Sequence, residues 1–147
     1  MSTPSRLIIG FVAGFVAVLV FHQGMVEALH LLNPPGLGGG PAWSLRPVPP
    51  FSVPAVIDAS FWGGLYGIVY AIVAPRLHLP GWLCGLLLGV LAVVVLVFVV
   101  GPIKHFSPLT SWATHTWIRI LLIHLFWGLG VAALFSLFTG FRPLRKV

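Results

Sequence analysis

Charge is what this sequence has least of. Only 7% of its 147 residues are charged and 59% are hydrophobic, whereas a soluble domain carries about a quarter charged residues. Acids are scarcest: Glu27 and Asp58 are the only two, beside eight lysines and arginines. That shortage excludes a soluble domain, which needs a polar surface, and a disordered chain, which needs low hydrophobicity. The net charge of +6 would ordinarily suggest nucleic acid, but no basic run is long enough to track a phosphate backbone. Cys84 stands alone, so an internal disulfide is excluded and the redox compartment stays open. Also missing are a nucleophile–base–acid set, a phosphate-cradling loop and a metal spacing such as His-x3-His. A non-enzymatic protein without a required cofactor is therefore expected.

What the chain does have is apolar length. A spanning helix needs about 20 largely apolar residues, because it must satisfy its backbone hydrogen bonds internally across ~30 Å of hydrocarbon. Four segments qualify, at about 7–29, 59–74, 79–100 and 112–138. Prolines mark their ends: Pro34 and Pro35 follow the first, Pro75 closes the second, Pro80 opens the third, and Pro102 and Pro108 flank the last connection. The expected fold is all-α, a single integral membrane domain over 1–147 forming a four-helix bundle. Arg6, Arg76, Arg142, Arg145 and Lys146 fall on one side, against Arg46, Lys104 and Arg119 on the other. That bias puts both termini in the cytoplasm. A cleavable signal peptide is a rival reading of the first span, on Arg6, the apolar run 7–21 and Val26-Glu27-Ala28. The length of the run and its glycines favour a retained span.

The spans read as a duplication. Gly10-x3-Gly14-x2-Ala17-Val18 matches Gly85-x3-Gly89-x2-Ala92-Val93, and Phe61-Trp62-Gly63-x3-Gly67 matches Phe126-Trp127-Gly128-x3-Ala132. Two hairpins entering the membrane in the same direction make a parallel repeat. Hydrocarbon gives helices no hydrophobic reason to associate, so close backbone approach must bring them together. Gly10, Gly14, Gly63, Gly67, Gly85, Gly89 and Gly128 are accordingly expected at helix contacts, within the bundle, at a dimer face or along a cofactor groove. The connection 31–57 is rich in proline and glycine yet carries Trp43, Leu45, Val48, Phe51 and Val53. It reads either as an ordered lid over the outer helix ends or as a loop without a role.

Ionisable groups inside a span are costly and are functional candidates by default. Gln23, Glu27 and His30 share one face of the first helix, Asp58 begins the second, and His115 and Arg119 share a face of the fourth. All lie near the outer interface. An arginine there needs a carboxylate, so a structural salt bridge to Glu27 or Asp58 is expected. An anion-, proton- or substrate-contacting site under the loop is the functional alternative. His22 and His124 fall at similar depth on separate helices, as bis-histidine ligation of haem b requires. Gly128, one turn from His124, would let a porphyrin approach, and another metal or plain structural histidines remain open.

In its motifs the chain resembles a group of small bacterial inner-membrane proteins of unassigned function, loosely YagU-like. The resemblance rests on Gly10-Phe-Val-Ala-Gly14, Phe61-Trp-Gly-Gly-Leu-Tyr-Gly67, Ala74-Pro-Arg-Leu-His-Leu-Pro-Gly-Trp82 and His124-Leu-Phe-Trp-Gly128. It covers most of the spans but not the proline-rich loop, and it carries over no catalytic residue. It implies a multi-pass location in the bacterial inner membrane. The expected partners are the lipid bilayer and either a second copy or a larger membrane complex, with the chain as a structural or accessory subunit and no nucleic acid. The alternatives are a haem-binding redox protein using His22 and His124, or a small transporter or proton-handling protein using Glu27, Asp58 and Arg119.

Overall fold

The computed structural model describes residues 2–103 and 112–140. Four of its helices are long and apolar enough to cross a membrane: α1 (Thr3–Leu32), α2 (Ala55–Arg76), α3 (Gly81–Ile103) and α4 (Thr114–Thr139). They coincide with the four apolar runs of the sequence, their ends displaced by a few residues. Local chemistry sets those ends. Ser2 caps α1 by accepting the Ser5 amide on its hydroxyl at 3.4 Å, and Pro4 occupies the first turn. Asn33 ends α1 with a left-handed φ of 41° before Pro34. Pro54 and Pro80 hold extended backbone at the N-caps of α2 and α3, where a missing amide costs nothing. Asp58 falls in the first turn of α2, where a negative charge suits the positive end of the helix.

Successive helices run in opposite directions, with α1 packed against α2 and α4, and α3 against α4. Glycine backbones meet at both main crossings. A Cβ on Gly10 would lie 2.6 Å from the Gly67 carbonyl oxygen, and one on Gly14 would overlap that of Gly63. Likewise a Cβ on Gly85 would lie 2.5 Å from the Gly128 oxygen, and one on Gly89 2.6 Å from the His124 oxygen. The register of this likeness differs from the one expected. Gly10 and Gly85 play the same part and face Gly67 and Gly128, so Gly128 corresponds to Gly67 rather than Gly63. The Phe-Trp-Gly match is thus displaced by one turn. Its tryptophans show the same thing, for Trp62 is 55% exposed and Trp127 only 2%. A shift of four residues keeps a helix on the same face, so small-residue rows align while the aromatic motif does not.

The interior is closely filled. Ala13, Ala17, Val131 and Phe135 are buried, Tyr70 stacks edge-on against Phe135 at 5.4 Å, and the Tyr70 hydroxyl donates to the Gly81 carbonyl at 3.0 Å. The lateral surface is apolar, with Ile8, Trp82, Phe98 and Leu137 exposed. Both α1 and α3 contain a π turn, at Val18–His22 and Leu96–Val100. Between α1 and α2 the loop carries a short antiparallel hairpin, β1 (Pro47–Val48) with β2 (Val53–Pro54), and a cis Pro49–Pro50 bond at its tip. Lys104, Arg142, Arg145 and Lys146, on which the expected orientation partly rests, lie outside the described residues, as do His105 and Pro108.

Candidate functional site

The polar residues of α1 converge on the loop. Gln23, Glu27 and His30 line one face by their spacing, and each has a loop partner. Gln23 Oε1 accepts the Trp43 amide at 2.9 Å and Glu27 Oε2 accepts the Ala42 amide at 2.9 Å. His30 donates from Nδ1 to the Gly39 carbonyl at 2.6 Å. A fourth link comes from Trp43, whose indole N–H donates to the Leu19 carbonyl at 3.0 Å inside the π turn. A π turn bonds five residues apart, which leaves the helix ladder one donor short, and the indole supplies a donor there. Trp43 holds a left-handed φ of 51°, costly for a bulky residue and sustained only where surrounding bonds fix it. The loop is therefore an ordered cover on this end of the bundle.

From the other side the loop rests on α4. A Cβ on Gly39 would overlap the Arg119 guanidinium, and one on Gly36 would lie 2.9 Å from the His115 ring. Gly36 also holds a φ of 74°, which glycine adopts without steric cost. The structure thus brings Gln23, Glu27, His30, His115 and Arg119 under one loop, with Asp58 in the first turn of α2.

The expected salt bridge is not formed. Among the described residues no ion pair joins Arg119 to Glu27 or Asp58, and the buried Arg119 Nε has no hydrogen-bond partner. Glu27 is turned to the loop instead, because the folded-back chain delivers amides there that need acceptors. Sequence reasoning missed Trp43 as the central clamp, although a lone tryptophan in a Gly/Pro-rich stretch was a visible signal.

His22 and His124 do meet. Their rings touch edge to face, with centroids 5.4 Å apart and planes at 86°. His124 donates from Nδ1 to the Ile120 carbonyl at 2.8 Å, which leaves Nε2 as the acceptor of the neutral ring. Gln23 has its oxygen on Trp43 and its amide nitrogen 3.5 Å from His22 Nδ1, so that nitrogen accepts. Hydrogen bonds therefore link the loop to Gln23 and Gln23 to His22, and His124 to its own helix, with a ring contact between the two histidines. The pair does not fit haem. Bis-histidine ligation sets the rings on opposite sides of the macrocycle, with iron between, and rings in direct contact leave no room for it. The Gly128 face expected to admit a porphyrin is filled by the Gly85 carbonyl. Among the described residues no group of three or more His, Cys, Asp or Glu is placed to hold a metal ion. A groove at the opposite end, lined by Gly81, Trp82, Leu129, Ala132, Ala133 and Ser136, has no ionisable side chain. Comparison with protein-family models, with curated proteins and with solved structures finds no match to this chain.

Proposed function

We propose that this chain is a non-enzymatic, multi-pass inner-membrane protein, with both termini cytoplasmic, that serves as a structural or accessory subunit docking on a larger membrane complex. The observation that supports this reading most is the use made of the polar side chains. Gln23, Glu27 and His30 hold the loop, while the loop turns Leu45 and Phe51 outward at 73% and 84% exposure. Holding a proline-rich loop rigid favours recognition, since the ordering entropy is already met before a partner arrives. The glycine rows are occupied inside the chain, which favours a partner at the loop over a glycine-mediated dimer. The histidine contact described above speaks against haem ligation by His22 and His124.

A photo-crosslinking residue placed at Leu45 or Phe51, in cells, tests the docking. The expected result is an adduct with one discrete second polypeptide that also co-purifies in fixed ratio. Phe51→Asp should abolish that co-purification with helical content unchanged. Adducts confined to lipid or to a second copy of the chain would overturn the reading.

A further inference from the structure

We infer that Arg119 and His115, beneath loop residues 36–40, bind a phosphate group. The loop lies directly on Arg119: a Cβ at residue 39 would overlap the guanidinium in its present position. Yet among the described residues no acceptor takes the hydrogen of its buried Nε. The Nε is buried without a partner, Glu27 is engaged by the Ala42 amide, and Asp58 lies in the first turn of α2. Arg119 is half-buried, and a guanidinium nitrogen buried without an acceptor or counter-charge is unfavourable, which points to an external anion. Position selects the kind of anion. Arg119 lies about 7.5 Å into α4 from Thr114 at 1.5 Å per residue, within reach of the headgroup layer for a long side chain. Trp112 and Trp117 stack at the same end with centroids 5.2 Å apart, as residues of a membrane–water boundary do. The planar fork of arginine matches phosphate oxygens two at a time. His115, one turn away and exposed, supplies a second donor nearer the water. The ligand is thus a phosphodiester of an anionic phospholipid or a free phosphate, which share this chemistry. The site stands apart from the docking reading, because it is internal to one chain.

The test uses the full chain in detergent, with phosphatidylglycerol and inorganic phosphate as separate probes. Native mass spectrometry reads lipid binding, and thermal melting reads phosphate. The wild type should retain phosphatidylglycerol in a one-to-one complex, and Arg119→Gln should weaken it by roughly tenfold or more, as for loss of a charged hydrogen-bonding partner. Stabilisation by inorganic phosphate that also displaces the lipid identifies free phosphate as the ligand. Lipid binding that phosphate does not displace identifies the headgroup. Equal affinity in Arg119→Gln, or binding of neither probe, overturns the site. A second measurement needs no variant: bound probe should slow modification of Arg119 by phenylglyoxal in the wild type, and equal modification with and without probe refutes the proposal. Both readouts use the isolated chain, so their failure leaves docking at Phe51 untouched, and the reverse holds equally.

Discussion

At Gly14 and Gly67 a single methyl group would force α1 and α2 apart, because the carbonyl across the crossing occupies the space. Gly67→Val should therefore destabilise the bundle by about 1–3 kcal/mol, the usual range for overpacking. Gly24 is the control, since nothing lies within 4 Å of its missing side chain, and Gly24→Ala should change stability by no more than ~0.5 kcal/mol. Thermal melts in one detergent compare the two, and equal shifts would contradict the packing described. That these glycines mediate helix contacts was legible from their spacing. Which glycine faces which was not, since a row of small residues every fourth position permits several registers a turn apart. The partner of Arg119 was equally illegible. Only two acids were available on paper, and the sequence does not reveal that a loop amide occupies one of them.

Among the elements, the four helices were readable and the π turns were not. Val18–His22 and Leu96–Val100 have the composition of any apolar helical run, and no residue type in them marks the wider turn. The loop could be read two ways because proline and glycine prevent regular structure without deciding order. Trp43 decides it, through its indole on Leu19 and its amide on Gln23. Trp43→Ala removes the indole and keeps the unfavourable left-handed backbone, whereas Trp43→Gly removes the indole and relieves the backbone. Both should speed hydrogen exchange at the Ala42 amide, by about fivefold or more for a lost bond of ~1 kcal/mol. Alanine should be the worse by a further ~1 kcal/mol, the usual steric cost of left-handed backbone. Protection unchanged in both variants would show that Trp43 does not hold the loop.

For the molecule as a whole, the alternation of helix direction sets the loop and the α1 N-terminus at opposite ends of the bundle. If both termini are cytoplasmic, as proposed, the loop faces the other compartment. Cys84 is the only cysteine and is buried, so a Cys84→Ala background gives a clean labelling experiment. Phe51→Cys should react with an impermeant maleimide in spheroplasts, and Ser5→Cys only after permeabilisation. The opposite pattern would invert the orientation. The same alternation brings Arg119 to the end where α1 finishes, which is why one loop covers residues far apart in sequence.

Composition and hydropathy alone determined four apolar helices of spanning length, because the backbone in hydrocarbon has so few ways to satisfy its hydrogen bonds. The spacing of small residues determined that helices would approach closely. Only the tertiary structure decided the register of those contacts, the meeting of His22 with His124, the clamp around Trp43 and, among the described residues, the unpartnered Nε of Arg119. Each depends on distances between segments remote in the chain and on which donors and acceptors the fold brings together, and a linear pattern of residue types does not encode that competition.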